Sequence, residues 1–258
     1  MSGISVDPCA NLEWDTAFWG FPIARVQAST ITEDQMRDID AWCNRNKIRC
    51  LYFLARMDDS DTIYLAERYA FHLTDIRNDF RYVVEQTAPR PGTTKNNGVC
   101  VRHFRSEDAK ALRTTARESY HDTRFYFDRH FPRQQCDLLY ETWIQRSWEG
   151  YADAVLVAVE NSEAIGFVTC HVDRSIGTNP TGRIGLVGVT ARARGHGVGQ
   201  LLTSAAVGWF VEQRVQEIFV ATQVRNIPAQ RLYQRCGFIT YSAHLWYHKW
   251  YAISETDK

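Results

Sequence analysis

The stretch IGLVGVT-ARARGHGVG, residues 184–199, together with the QLLTSAAVGWFVEQR that follows it at 200–214, decides the fold of this chain. The β-branched and glycine-containing run Ile184–Thr190 predicts a strand, either of period two or buried on both faces. In the following piece, apolar residues recur at spacings of three and four, which predicts an amphipathic helix packed on a core. They are Val198, Leu201, Leu202, Ala205, Ala206, Trp209 and Phe210. The sequence therefore predicts a strand, a glycine loop and a helix in that order.

The glycine loop has the composition of an anion-binding loop. Glycine at 195, 197 and 199 permits positive φ and lets backbone N–H groups approach an anion with no Cβ in the way. The helix dipole adds partial positive charge at the same end. Arg192 and Arg194 either add further charge or are simply solvated. The spacing fits neither a Walker loop nor a dinucleotide site, so the loop alone does not identify its ligand.

The residues after this helix extend the pattern. Glu217–Gln223 predicts a second strand, parallel to the first if the helix is the crossover between them. Asn226 begins a short helix with Pro228 in its first turn, and Gly237 follows at its C-terminal end. One face of that helix is predicted to carry Ala229, Leu232, Tyr233 and Cys236. Phe238–Trp250 is aromatic and β-prone, and predicts a closing strand or hairpin.

These motifs resemble the GCN5-related N-acetyltransferase (GNAT) family over roughly the last third of the chain. The resemblance lies in Arg192-x-x-Gly195-x-Gly197, in Asn226, and in Leu232-Tyr233-x-x-x-Gly237-Phe238. It implies an α/β fold with a GNAT-type twisted mixed sheet flanked by helices. It also implies that the loop amides hold the pyrophosphate of acetyl-CoA and that the two parallel strands splay around the pantetheine arm.

The resemblance also implies roles for individual residues. Tyr233 is the predicted catalytic residue, a general acid toward the thioester sulfur, although it could also serve only in packing. Backbone N–H groups of Val187, Gly188 and Val189 are predicted to polarise the thioester carbonyl. The predicted acetyl-CoA contacts are Val187, Gly188, Val189, Arg192, Arg194, Gly195, His196, Gly197, Val198, Gly199, Gln223, Asn226 and Tyr233.

The general base is left open by the sequence. Many members of the family carry a glutamate on the strand before the glycine loop, whereas Ile184–Thr190 contains no carboxylate. A chain of water molecules or one of the histidines His121, His171 and His244 could relay the proton. The residues alone do not choose between them.

The aromatic and charged stretch 120–132 has no clean periodicity, which predicts an ordered loop. The resemblance places this loop over the acceptor side of the cleft. Arg124 would then pair with a phosphate or carboxylate of the acceptor, and Phe125, Tyr126 or Phe127 would stack on a sugar or base. The alternative is a surface loop held by its own aromatic contacts and salt bridges.

A narrower similarity concerns the acceptor. The runs Leu12–Gly20, Arg124-Phe125 and Val220–Gln223 are similar to acetyltransferases of TDP-linked amino-deoxy sugars. The prediction is an acetyl-CoA-dependent N-acetyltransferase that acts by direct transfer on the amino group of a small nucleotide-linked sugar. One alternative is an acetyltransferase of another small amine or of a protein amine. A second alternative is a non-catalytic acyl-CoA sensor, which would keep residues 192–199 and tolerate loss of Tyr233.

Composition limits the class of protein. The 258 residues are 45% hydrophobic and carry 30 basic against 30 acidic side chains, which argues against a nucleic-acid or membrane surface. Seven scattered cysteines without ligand spacing argue for reduced thiols and against a metal site. We expect a cytoplasmic protein. The aromatic C-terminal residues Trp246, Tyr247, Trp250 and Tyr251 either complete the sheet or face another subunit, so a homodimer is possible.

Two domains are predicted. Residues 1–88 read as a small α/β module with a helix capped by Thr32 and a strand from Cys50. The proline- and glycine-containing run 86–97 reads as a linker. Residues 98–258 would form the GNAT domain.

Overall fold

The computed structural model describes residues 7–84, 98–175 and 179–252. Its contacts divide the chain into two compact units: Met1–Arg77 with Ala243–Lys258, and Asn78–Ser242. The predicted linker 86–97 lies outside the described residues, so the domain bounds 1–88 and 98–258 remain a prediction. No helix within the described ranges combines the length and the apolar character needed to cross a membrane.

The helices and strands have the following bounds. The strands are β1 (Cys9–Asn11), β2 (Ile23–Val26), β3 (Cys50–Arg56), β4 (His72–Val83), β5 (Val99–His103), β6 (Ala154–Glu160), β7 (Glu163–Asp173), β8 (Thr181–Val189), β9 (Glu217–Gln223) and β10 (Ile239–Trp250). The helices are α1 (Glu13–Trp19), α2 (Glu33–Arg45), α3 (Ser60–Arg68), α4 (Ala109–Ser119), α5 (Arg124–Phe127), α6 (Arg133–Arg146), α7 (Val198–Glu212) and α8 (Ile227–Arg235).

The first unit has a small mixed sheet. Strand β1 runs antiparallel to β2, β2 runs parallel to β3, and β3 pairs with the end of β10 in antiparallel register from Arg56↔His244 to Cys50↔Trp250. Helix α2 begins at the predicted cap, where Thr32 and Gln35 form a reciprocal capping box. The aromatic segment Glu13–Trp19 forms helix α1, which ends at the left-handed Gly20.

The second unit carries strands in the order β4-β9-β8-β7-β6-β5. The pairs β5–β6, β6–β7 and β7–β8 are antiparallel, whereas β8–β9 is parallel, as the sequence predicted. The hairpin of β6 and β7 turns at Asn161 and Ser162, which both have positive φ. A mixed α/β fold with mostly antiparallel strands flanked by helices is therefore confirmed.

Helices α4, α6 and α7 complete the second unit around the strands. The apolar side of α7 is buried as its spacing predicted, with Leu202 and Phe210 fully buried. Helices α4 and α6 are joined by the buried Glu141 of α6, which forms ion pairs with Arg113 and Arg117 of α4. These contacts fix the C-terminal end of α4, where the candidate site begins.

Candidate active site

Strands β8 and β9 separate partway along their length. Their parallel pairing runs from Thr181↔Glu217 to Ile184↔Val220 and ends there. Residues beyond this point on both strands line a cleft of about 750 Å³. Two parallel strands that part in this way expose backbone groups that a continuous ladder would satisfy. The separation agrees with the splayed strands that the family resemblance implies.

A bulge in β8 lies at the point of separation. The register with β7 shifts between Cys170↔Ile184 and Val168↔Val187, so Gly185 and Leu186 lie opposite one residue of β7. That residue, Thr169, is fully buried, and its hydroxyl accepts the Leu186 N–H at 2.8 Å. A side chain thus replaces the missing backbone partner, and the bulge is held by a specific hydrogen bond.

The glycine loop surrounds the N-terminus of α7. Gly195 and Gly197 have φ of +80° and +81°, the left-handed region that glycine adopts without strain. Gly197 occupies the N-cap position of α7. Because glycine has no side chain that could cap the helix, the first-turn N–H groups stay available to a ligand. Gly199 lies against α8, and a Cβ there would stand 3.2 Å from Leu232.

Tyr233 projects from α8 into the same cleft. The helix begins at Asn226, whose side-chain oxygen accepts the Ala229 N–H at 3.2 Å. The Tyr233 ring packs against Phe80 and Phe238, with centroids 5.9 and 6.0 Å away, and the residue is only 5% exposed. Burial raises the pKa of the Tyr233 hydroxyl above its usual value, so the hydroxyl keeps its proton at neutral pH.

Aromatic side chains from α4 and α6 line another side of the cleft. Tyr120 directly follows α4, and its ring stacks on that of Tyr140, with centroids 4.4 Å apart and planes at 15°. Tyr140 meets Trp143 edge to face at 5.1 Å. Tyr120 was not predicted as a site residue, because it follows the end of a helix and belongs to no recognisable sequence motif.

The charged groups that line the cleft are mainly basic. Arg194, Arg231 and Arg235 contribute to the lining, and Asp122 is the one carboxylate side chain there within the described residues. Arg231 and Arg235 were not predicted, although their spacing of four places both on one side of α8. A cleft of this charge favours an anionic ligand.

Most of the predicted acetyl-CoA contacts meet in this cleft. The residues that line it are Val187, Val189, Arg194, Gly195, Gly197, Val198, Gly199, Gln223, Asn226 and Tyr233. Three predicted residues are not in the lining. Gly188 faces the Phe167 ring, which would stand 2.6 Å from an added Cβ. Arg192 forms an exposed ion pair with Glu163, and His196 is exposed.

The predicted acceptor residues Arg124, Phe125 and Tyr126 do not line the cleft. Phe125 is 3% exposed and packs edge to face on Phe131 and Trp143, so its ring faces are covered. The Arg124 guanidinium lies 4.5 Å from the centre of the Phe125 ring, and the Tyr126 hydroxyl donates to Asp137. The segment contains the short helix α5, which turns Phe125 inward. This arrangement agrees with the alternative reading of a segment held by its own contacts.

None of the three candidate histidines lines the cleft as the structure describes it. His171 lies close behind the cleft residue Gly185, where an added Cβ would stand 2.7 Å from its Nε2. Burial and the neighbouring Arg183 lower the pKa of His171 to about 4, so the ring is neutral at pH 7. His121 is exposed beside Tyr126. His244 lies on β10 in the first unit, opposite Arg56 in the strand register with β3.

Comparison with known proteins shows which proteins this chain resembles. Residues 113–238 match the model of the acetyltransferase (GNAT) family. The chain is 25% identical over 143 residues to the spore coat polysaccharide biosynthesis protein SpsD of Bacillus subtilis, covering 55% of this chain and 48% of that protein. It is 35% identical over 85 residues to N-alpha-acetyltransferase 30 of Schizosaccharomyces pombe, covering 33% of this chain and 57% of that protein. The chain thus spans about half the length of these curated relatives.

Among solved structures, a GCN5-related N-acetyltransferase from Sphaerobacter thermophilus aligns with a TM-score of 0.66 at 17% identity, covering 97% of this chain and 79% of that one. The fold is therefore that of a GNAT acetyltransferase. Residues 113–238 are thus similar to the GNAT family in sequence, and the chain is similar to it in fold.

Proposed function

We propose that this protein is an acetyl-CoA-dependent N-acetyltransferase that transfers the acetyl group directly to the amino group of a nucleotide-linked amino-deoxy sugar. One observation carries the proposal: a single cleft is lined by the separated ends of β8 and β9, by the glycine loop before α7 and by the buried Tyr233. The narrower choice of a TDP-linked sugar is supported by sequence similarity to TDP-fucosamine acetyltransferase. That similarity lies in the runs Leu12–Gly20, Arg124-Phe125 and Val220–Gln223.

The glycine loop fits the pyrophosphate of acetyl-CoA. Left-handed Gly195 and Gly197 wrap the backbone around the N-terminus of a 15-residue helix, and neither presents a Cβ to the ligand. Arg194, Arg231 and Arg235 line the same cleft and add positive charge. Backbone amides, a helix dipole and guanidinium groups together form a favourable environment for phosphates.

The transfer itself needs three contributions. The amine nitrogen attacks the thioester carbonyl carbon, and the carbonyl oxygen gains negative charge that the Val187 amide can stabilise. When the tetrahedral intermediate collapses, the carbon–sulfur bond breaks and Tyr233 donates its proton to the departing sulfur. The amine gives up its own proton to water; the described cleft lining contains no histidine, and its one carboxylate is Asp122.

The charge and the aromatic side chains of the lining support a nucleotide-linked acceptor. A polycation such as a polyamine would call for a mainly acidic groove, whereas this lining has three arginines and Asp122. Tyr120, Tyr140 and Trp143 supply aromatic surface for a sugar ring or a base. The relative named for spore coat polysaccharide biosynthesis is consistent with a sugar acceptor.

The second candidate is an acetyltransferase of a protein N-terminus. It is favoured by the similarity to N-alpha-acetyltransferase 30, whose name describes that chemistry. The same aromatic side chains would then hold an apolar first residue of the peptide. A non-catalytic acyl-CoA sensor is less well supported, because it has no need for a buried tyrosine inside the cleft.

The deciding experiment measures thiol release from acetyl-CoA by the purified chain. It is offered TDP- and UDP-linked amino sugars, polyamines, a lysine peptide and peptides with free N-termini. Turnover with TDP-linked 4-amino sugars alone would support the proposal. Turnover with peptides that have free N-termini would identify a protein N-terminus as the acceptor. Binding of acetyl-CoA without turnover of any amine would favour the non-catalytic sensor.

A further inference from the structure

Tyr120 is held at the cleft by the packing of α4 against α6. It follows the last residue of α4, and its ring stacks on Tyr140 of α6 at 4.4 Å. The ion pairs of Glu141 with Arg113 and Arg117 join the same two helices. The Tyr120 ring therefore has one well-defined position, and both tyrosines line the cleft.

The hydroxyl of Tyr120 is buried without a hydrogen-bond partner among the described residues. Its polar neighbours are the backbone amide of Val187 and the hydroxyls of Tyr233 and Tyr140, although none of them reaches hydrogen-bond geometry. A buried hydroxyl without a partner destabilises a fold, and phenylalanine would fill the same space without that loss. Such a group at a cleft indicates a partner that arrives with the ligand.

The neighbours of this hydroxyl show which ligand atom it would meet. Val187 carries the amide assigned to the thioester carbonyl, and Tyr233 carries the proton assigned to the sulfur. We propose that Tyr120 is a further catalytic residue, whose hydroxyl donates a hydrogen bond to the thioester carbonyl oxygen together with the Val187 amide. The proposal rests on the proposed acetyl transfer.

The step balances without proton transfer from Tyr120. The amine lone pair forms the carbon–nitrogen bond while the carbonyl π electrons move to oxygen, where the Tyr120 O–H and the Val187 N–H stabilise the charge. The electrons return as the carbon–sulfur bond breaks, and Tyr233 protonates the sulfur. Burial holds the pKa of Tyr120 well above its usual value, so its proton remains available for donation.

The test compares Tyr120→Phe with the wild type and with Tyr241→Phe, which removes the same atom from an exposed ring outside the cleft. In Tyr120→Phe we expect kcat to fall by roughly 10²-fold, the loss typical of one oxyanion donor, with acetyl-CoA affinity retained. The unfolding temperature should not fall, because the lost hydroxyl had no partner. Tyr241→Phe should keep wild-type kcat.

A spectroscopic measurement isolates the hydrogen bond itself and needs no acceptor. In difference infrared spectra of bound, carbonyl-labelled acetyl-CoA, the C=O stretch should lie at higher frequency in Tyr120→Phe than in the wild type. An identical band and an unchanged kcat in an active enzyme would overturn the role of Tyr120 and leave acetyl transfer in place. Failure of the wild type to bind acetyl-CoA would instead overturn the proposed function, and this inference with it.

Discussion

At the scale of single residues, the proposed mechanism depends most on Tyr233. Its hydroxyl is the group with a transferable proton that α8 places in the cleft. In Tyr233→Phe we expect turnover to fall by roughly 10²- to 10⁴-fold, as for loss of a general acid, because the thiolate must leave unprotonated. Acetyl-CoA affinity should remain, since the ring still packs on Phe80 and Phe238. Steady-state thiol release and calorimetric titration measure the two effects; wild-type turnover would show that Tyr233 only packs.

His171 gives the chain a specific response to acid. Because its pKa is about 4 when folded and near its usual 6.5 when unfolded, the unfolded state binds the proton first. The free energy of unfolding should therefore be fully retained above pH 6.5 and decline as the pH falls toward 4. The whole shift corresponds to about 3 kcal/mol. Solvent screening of the partly exposed ring reduces this to on the order of 1–2 kcal/mol.

The measurement is urea unfolding of the wild type and of His171→Gln between pH 7 and pH 4. Glutamine does not titrate in this range, so the variant should lose less stability than the wild type over that interval. Parallel curves for the two proteins would mean that His171 is protonated with its ordinary pKa in the folded chain.

At the scale of elements, the loop before α7 can be tested against a matched glycine. Gly195 and Gly98 have φ of +80° and +86°, and an added Cβ at either would meet no atom within 4 Å. Valine at either position therefore brings similar backbone strain, of order 1–3 kcal/mol. Only Gly195→Val should also weaken acetyl-CoA binding, by about tenfold or more, equivalent to about 1.4 kcal/mol. Equal affinities in the two variants would place the pyrophosphate elsewhere.

The bulge of β8 is the second element with a testable role. Thr169→Val keeps the shape of the side chain and leaves the Leu186 N–H without its acceptor, so we expect a loss of about 1–3 kcal/mol in stability. Turnover should fall as well, because the bulge sets the direction of the Val187 amide. Thr115→Val is the control, since the Thr115 hydroxyl donates to the Ala111 carbonyl of its own helix and has no other hydrogen bond to a residue that the structure describes. Lower stability with unchanged turnover would separate the bulge from catalysis.

At the scale of the whole molecule, local signals predicted the elements well. The apolar spacing of α7, the cap at Thr32 and the Asn226-Pro228 helix start are each set by a few neighbouring residues, and the structure contains all three. The return of β10 to β3 could not be read in this way. It depends on pairing between His244–Trp250 and Cys50–Arg56, which are far apart in sequence.

The candidate site was predictable only where it follows a motif. The glycine loop and Tyr233 lie within the contiguous pattern that the family resemblance uses. Tyr120 enters the cleft through tertiary packing, and no local periodicity marks it, whereas Arg235 follows Arg231 by one turn of α8. Phe125 shows the opposite error, because an aromatic residue in an irregular stretch can equally well enter a core.

The close packing of three glycines in β8 predicts which positions stay glycine in related sequences. A Cβ at Gly182 or Gly188 would stand 2.7 Å from Phe210 or 2.6 Å from Phe167, and one at Gly185 would stand 2.7 Å from His171. Selection against these clashes would keep glycine at all three positions, whatever the cleft binds. Invariant glycines in β8 among homologues would then record close packing behind the strand, whereas those at 195 and 197 would record the left-handed backbone of the loop before α7.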